Sequence, residues 1–384
     1  MNKILTSIRK FLAPVEPLPA GTYHSHSETT RLHLRVEKDG SGLLIINAAT
    51  VLHLNQTATE YAYHFIDGKT PPEAALSVSE RYDISLEEAQ ADFEELVERI
   101  ETLIDMPDLD PVSFLDFELE APYAGALSAP YRLDCALTYR LPEGSDPNLA
   151  PTRRVDRELT TDEWKTIIDK AWEAGIPHLI FTGGEPTLRD DLVELISHAE
   201  KNDQVTGLLT DGLRLAEKAY LDELLQSGLD HLLVALSPEN ETALQALNLI
   251  FPEDLFTTVH LTITASFAEE APHLISRLAD LGANALSLSI EDKTDFALYE
   301  ALNEAQNKAA EVGLPLKWDL PVPYSAHNPF ALEEEAEDVQ TPQGAGQAWL
   351  YVEPDGDVLP TQGFNQVLGN ILTKDWAKIW SKVK

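Results

Sequence analysis

From residue 131 onward, short apolar runs return at a nearly fixed interval, and this constrains the fold more than any other property of the chain. Leu133–Tyr139, His178–Phe181, Val205–Leu209, His231–Leu236, Val259–Thr264 and Ala285–Ile290 each have the length and composition of a buried strand. After the first gap their starts recur roughly every 25 to 30 residues, the size of one strand–helix unit. Helix-length segments lie between them. Thr160-Thr161-Asp162-Glu163 opens one with a capping box, and Leu192–His198, Leu221–Leu225 and His273–Leu281 supply others. Repeated units of this kind build a parallel sheet, open or curled into a barrel. Leu316–Leu320 offers a further strand. The fold class is α/β over 131–325, an open sheet or a partial (β/α)6 TIM-like barrel.

The flanks have other rhythms. Arg31–Val36, Leu43–Asn47 and Val51–Leu54 are three short strand signals, with Lys38-Asp39-Gly40 as a hairpin turn. Three helices follow: 57–66, one from Pro71-Pro72, and one opened by Ser85 and Glu88. In the last, Leu86, Ala89, Phe93, Leu96, Val97, Ile100 and Leu103 repeat at three and four. Residues 31–105 thus form a small winged-helix-like β3α3 domain behind a 1–30 tail. A linker rich in Pro, Asp and Ala spans 106–130. Residues 326–342 make an acidic linker carrying the run Glu333–Asp338. A short α+β extension over 343–384 places the turn Glu353-Pro354-Asp355-Gly356-Asp357 between two apolar strands, then a helix ending in Trp376 and Trp380.

Charge narrows the partners. The chain has 65 acidic and 28 basic residues, a formal net charge of −37, which opposes nucleic acid and anionic lipid alike. Met1–Pro19 lacks the apolar run and cleavage site of a secretory signal, so a short amphipathic helix or a frayed end is expected there. No stretch is long and apolar enough to span a bilayer. Cys135 is the one cysteine, so no intrachain disulfide forms, which suits the cytoplasm.

In such folds the strand C-termini form the chemical face. Tyr139–Leu141, Thr182–Glu185, Thr210–Gly212, Ser237–Glu239 and Glu291-Asp292 stand there. Phe181-Thr182-Gly183-Gly184-Glu185-Pro186 is the most specific peptide among them. Its paired glycines let backbone approach a ligand closely, and Glu185 presents a carboxylate and peptide groups to a ligand ammonium. The same peptide also fits an ordinary strand-to-helix turn. The 11 histidines show no helical metal-ligand spacing, and no nucleophile elbow, phosphate loop or dinucleotide turn occurs. His178 and His231 open strands, away from the chemical face, which suits packing.

Residues 131–292 resemble the radical S-adenosylmethionine (radical SAM) enzymes, especially the peptide-modifying branch of the pyrroloquinoline quinone maturase. Leu137-Thr138-Tyr139-Arg140 is similar to that family's first strand, Gly183-Gly184-Glu185-Pro186 to its SAM-binding turn, and Gly228-Leu229-Asp230-His231 to the entry of its fourth strand. The resemblance implies SAM at Gly183, Gly184, Glu185 and Pro186, with Asp211 and Ser237 beside them. In the family three cysteines after the first strand hold a [4Fe–4S] cluster. The matching positions here are Leu141, Ser145 and Asn148, none of which supplies a thiolate. Cys135 lies on the strand itself, as a small buried residue.

The flanks resemble the same branch. Residues 31–105 are similar to the PqqD-like leader-peptide-recognition fold, which implies a peptide strand added beside Val51, Leu52, His53 and Leu54 and packed on Phe93, Leu96 and Ile100. A small domain for internal docking is the alternative. Residues 343–384 resemble a SPASM-like extension, with Gln343 and Thr361 where its cysteines are expected. Together these imply a pseudoenzyme without an iron–sulfur cluster, binding a precursor or leader peptide beside a cysteine-complete radical SAM enzyme. Two alternatives remain: a barrel enzyme using a divalent metal or acid–base chemistry at Glu185, Asp211, Glu239, Glu291 and Asp292, or a SAM-binding protein without radical cleavage.

Overall fold

The computed structural model describes residues 17–27, 30–48, 50–106, 109, 127–145, 150, 155, 157–292, 294–317, 320–322 and 344–383. The chain forms two compact units, Met1–Ala129 with Glu173–Pro177, and Pro130–Trp172 with His178–Lys384.

The first unit is an antiparallel sheet in the order β1 (Gly21–His26), β2 (Arg31–Val36), β3 (Gly42–Ile46), β4 (Thr50–Leu54). It is followed by α1 (Gln56–Ile66), α2 (Pro71–Arg81) and α3 (Leu86–Asp105). Each helix starts where its sequence provides a cap. The Asn55 side chain accepts the Ala58 N–H, and Thr70 with Glu73 and Ser85 with Glu88 close capping boxes. Phe93, Leu96, Ile100 and Leu103 then bury one face of α3 in a core shared with Leu34, Leu44, Leu52 and Leu54. The sheet has four strands and not the three of the sequence pattern, because β1 lies within the 1–30 segment. Tyr23 pairs opposite Leu34 and its ring meets Tyr63 edge-on at 4.8 Å, while Thr22 and His24 are exposed, so one apolar side chain is all the alternation this edge strand offers.

In the second unit β5 (Arg132–Thr138), β6 (His178–Gly183), β7 (Val205–Thr210), β8 (His231–Ala235), β9 (Phe256–Ile263) and β10 (Ala285–Ile290) are parallel neighbours in chain order. This is the partial barrel. Its helices are α4 (Thr161–Glu173), α5 (Leu192–Lys201), α6 (Lys218–Gln226), α7 (Glu241–Ile250), α8 (Ala271–Leu281) and α9 (Phe296–Glu311). The far edge of β5 pairs in parallel with β11 (Trp349–Val352), which continues antiparallel into β12 (Asp357–Leu359) and β13 (Gly369–Asn370), before α10 (Trp376–Trp380). The C-terminal segment, expected as a separate extension, is therefore built into the barrel sheet. Leu316 makes a bridge to Leu286, and residues 318–319 of the expected Leu316–Leu320 strand lie outside the described residues. The 326–342 linker, residues 1–16 and most of the 106–130 linker lie outside the described residues.

Inside the barrel Ile180, Leu209 and Leu233 pack with Val322 and Leu320 from the chain's own later segment. Thr182 Oγ1 donates to the Pro321 carbonyl at 3.2 Å, fixing that segment against β6. At the strand starts His178 and His231 bring their Nε2 atoms to 2.7 Å. Gly207 makes room for this, since a Cβ there would stand 2.2 Å from the His231 ring. Burial holds both imidazoles below their ordinary pKa, His231 at about 4. Among the described residues no helix is long and apolar enough to cross a membrane.

Candidate functional site

The turn after β6 is built from backbone contacts with β5. Gly184 N–H donates to the Thr138 carbonyl and Glu185 N–H to the Arg140 carbonyl, both at 2.8 Å. A Cβ on Gly183 would stand 2.1 Å from Thr138 O, and one on Gly184 2.2 Å from Arg140 O. Gly183 also has φ +134°, a conformation that favours glycine. The neighbouring chain alone demands glycine at both positions.

Glu185 turns inward and is 3% exposed. Its Oε1 accepts from Thr187 N at 3.0 Å, Thr187 Oγ1 at 2.6 Å and Thr210 Oγ1 at 2.8 Å. Its Oε2 accepts from Asp211 N at 2.8 Å. Pro186 starts a one-turn 3-10 helix, Pro186–Leu188. Two arginines brace the turn. Arg189 donates to the carbonyls of Leu137 and Leu159 at 3.1 Å and pairs with Asp191 at 2.7 Å. Arg214 donates to the Thr187 carbonyl and lies 4.0 Å over the Tyr220 ring. Sequence reasoning missed both, since a single arginine at a helix start carries no spacing signal.

Asp211 is the other acid of this turn. Its Oδ1 accepts from Leu213 N at 2.9 Å, while Oδ2 is buried with no hydrogen-bond partner among the described residues. Burial, then the Asp211 charge, push Glu185 up to about 8, and burial raises Asp211 as well. The pair therefore retains a proton near neutral pH. Ser237 is half-buried in the turn after β8, where its carbonyl accepts from Asn240 N at 3.0 Å.

The loop after β5 has the opposite character. Leu141 packs with Ala136, Tyr139, Ala150, Val155, Tyr351 and Leu359. Tyr139 donates its hydroxyl to buried Glu353 at 2.9 Å. Ser145 N–H donates to Pro142 O at 3.1 Å, and Thr361 Oγ1 accepts from Trp349 Nε1 at 3.3 Å. Asn148 and Gln343 lie outside the described residues. Cys135 is fully buried near the Leu133 carbonyl, and burial pushes its thiol well above the ordinary value. A [4Fe–4S] cluster does not fit these residues: an apolar side chain stands at the first ligand position, and the one thiol resists ionisation.

The remaining acids do not assemble a metal centre. Glu239, Glu291 and Asp292 are exposed. Glu291 accepts from Ala265 N at 2.8 Å, and Asp292 accepts from Thr294 N and Oγ1 at 2.8 and 2.6 Å. Among the described residues no three His, Cys, Asp or Glu side chains gather as metal ligands. Of the five acids expected at one face, only Glu185 and Asp211 meet.

In the first unit β4 is the outer strand of its sheet. Its side chains alternate: Leu52 and Leu54 enter the core, while Val51 and His53 are half-buried on the other face. Phe93, Leu96 and Ile100 belong to the same core. Leu52, Leu54, Phe93, Leu96 and Ile100 are thus core residues, and Val51 and His53 are the half-buried side chains beside the outer edge.

Residues 135–248 match the family described as the Radical SAM superfamily. A PqqA peptide cyclase of Bradyrhizobium diazoefficiens is 28% identical over 239 residues, covering 56% of this chain and 62% of that protein, so the match spans less than two thirds of this relative. A PqqA peptide cyclase of Granulibacter bethesdensis is 25% identical over 284 residues, 66% of this chain and 75% of that one. Among solved structures, Streptococcus suis SuiB bound to S-adenosylmethionine superposes with a TM-score of 0.60 at 17% identity, covering 93% of this chain and 88% of that one. SuiB bound to precursor peptide SuiA gives 0.60 at 16% identity, with coverage of 93% and 88%. At such identity the likeness is one of fold.

Proposed function

We propose, for a chain that belongs to the radical SAM superfamily and is related to its peptide-modifying members, a role as a peptide-binding accessory protein that carries no iron–sulfur chemistry. The observation behind this reading is Leu141, which fills the first cluster position and packs against Tyr351 and Leu359. Residues 31–105 serve as the PqqD-like recognition domain and 343–384 as the SPASM-like remnant. A leader or precursor peptide adds as a strand along β4, whose outer edge ends the sheet. A cysteine-complete radical SAM enzyme in the cytoplasm then acts on the peptide so held. Anaerobic reconstitution with iron and sulfide tests the first half. No charge-transfer absorbance in the visible is expected, and a stable, stoichiometric [4Fe–4S] signal overturns the reading.

A second reading is retained binding of SAM without cleavage. What favours it is Asp211 Oδ2, a buried acceptor without a partner among the described residues beside the turn. What weighs against it is that the N–H groups of Gly184 and Glu185 and the Glu185 carboxylate are already engaged. Titration with SAM decides: saturable binding lost in Asp211→Asn establishes the second reading, and no binding removes it.

A further inference from the structure

The barrel has a second mouth, at the strand starts, and the first layer of lumen-facing side chains there is polar. Ile180 and Leu233 face the lumen, so His178 and His231, two residues earlier on β6 and β8, face it too. Arg132 is the register partner of His178, and Phe256 that of His231, which completes the layer. Solvent reaches it: Phe256 is 45% exposed and both imidazoles are half-buried. The 2.7 Å contact between the rings uses Nε2 of each. Neither Nδ1 has a hydrogen-bond partner among the described residues, and neither is sealed from solvent, unlike both nitrogens of His64. In a neutral pair one ring donates through Nε2, so one Nδ1 is left as an acceptor and the other as an N–H donor. One further proton makes both of them donors.

The charges around the pair decide which ligand suits it. Arg132, 5.1 Å over the Trp349 ring, and Lys317, 5.7 Å from the Phe256 ring centre, are both positive. Of the neighbouring acids, Asp134 is paired with Arg132 at 2.7 Å, and Asp230 accepts from Thr206 N at 2.7 Å. Burial, then Arg132 and Lys317, hold His231 at about 4; burial, then His231 and Arg132, hold His178 low as well. An anion seated here offsets the positive field and lets the further proton bind, so ligand charge and proton uptake reinforce each other. In a chain of net charge −37, a layer with this sign is not a product of composition.

We propose that this mouth binds a small oxyanion, a carboxylate or a tetrahedral phosphate-like group, on the Nδ1–H groups of His178 and His231 within the field of Arg132 and Lys317, with uptake of one proton. Peptide binding by the first unit is a separate matter, and the outcomes below leave it untouched. Calorimetric titration of the full chain with sodium benzoate and with sodium sulfate tests the site, since neither anion titrates near neutrality, and tells the two anion classes apart. One of them is expected to bind saturably, tightening by up to about tenfold per pH unit between about pH 8 and about pH 6. Buffers of different ionisation enthalpy should report one proton taken up. Lys317→Gln, at an exposed position, lowers affinity about threefold and leaves proton uptake unchanged. His178→Asn with His231→Asn removes binding and proton uptake together. Because those rings help to pack the barrel, the wild-type chain supplies a second reading: two imidazole nitrogen resonances move toward the imidazolium position as the anion is added. Saturable binding without proton uptake, or imidazole resonances that stay fixed, overturns the inference. So does the absence of saturation by either anion up to about 10 mM.

Discussion

The turn after β6 and the loop after β5 sit at the same end of neighbouring strands and are held together in opposite ways. The turn is polar and internally matched: Glu185 accepts four hydrogen bonds, and the N–H groups of residues 184 and 185 bind the carbonyls of β5. The loop is apolar, with Leu141 seated among Tyr139, Tyr351 and Leu359. The turn carries Gly-Gly-Glu-Pro, while no cysteine lies in the loop. The contrast shows that Gly-Gly-Glu-Pro is fully employed by the fold. The crossing of two backbones requires its paired glycines.

Gly184→Ala breaks the turn first and has the largest expected effect. The new Cβ meets a backbone carbonyl at 2.2 Å, which no side-chain rotation relieves. A loss of at least ~3 kcal/mol in urea unfolding is expected. Gly144→Ala is the matched control in the loop: φ is +90°, but nothing lies within 4 Å of the added atom. It should cost only about 1 kcal/mol. Equal losses at the two positions dissolve the contrast.

Glu185→Ala comes next. It strips partners from two backbone N–H groups and two threonine hydroxyls, with Thr187 and Thr210 both buried. About 2–4 kcal/mol is expected. Leu141→Ala removes a half-buried apolar side chain and should cost about 1–2 kcal/mol. Reversal of that order makes the loop, and not the turn, the anchor of the barrel's open end.

Much of this architecture was legible in the sequence. The apolar runs located β5 to β10, and the Ser85/Glu88 and Thr160/Glu163 pairs located the starts of α3 and α4. What escaped was of two kinds. β1 is an edge strand with one apolar side chain, Tyr23, too little for a periodic signal. β11 pairs with β5 across a wide sequence separation; Tyr139 and Glu353, which meet at this junction, are 214 residues apart. Local periodicity carries no information about such a partner. The site divided likewise. The absence of donors at Leu141 and Ser145 could be read directly, but the apolar cluster around Leu141 depends on Tyr351 and Leu359 from the far segment. The glycines signalled a close approach correctly, and only the structure identified the approaching group as β5.

A smaller effect tests the charge state of the turn. Glu185 has a folded pKa near 8 against an ordinary 4.5, so the protonated form is favoured by folding. Its contribution is complete below 4.5 and is lost as pH rises through 8. His231 and His260 act in the other direction: burial holds both at about 4 against 6.5, so their contribution is present above 6.5 and lost as pH falls toward 4. Thermal stability should therefore decline on both sides of a maximum near neutrality. Glu185→Gln should flatten the alkaline side, by about 1–2 kcal/mol between pH 6.5 and 8. A wild-type profile already flat from neutrality to pH 8 removes the shared proton from the Glu185–Asp211 pair.

The smallest stability change sharpens the contrast furthest. Restoring thiols at the three loop positions, with Leu141→Cys, Ser145→Cys and Asn148→Cys, includes two half-buried side chains, Leu141 and Ser145, and should cost roughly 1 kcal/mol. If donors were all the loop lacked, anaerobic reconstitution of this variant would give a stable [4Fe–4S] signal. The expected outcome is instead little bound iron, because Tyr351, Leu359 and Tyr139 fill the space around residue 141, and Tyr139 is tied to Glu353. Truncating that wall in the same background, with Tyr351→Ala, distinguishes the two causes. Cluster gained only after truncation assigns the loss to packing. Cluster gained from the cysteines alone shows that the loop kept its room and differs from the turn only in its ligands.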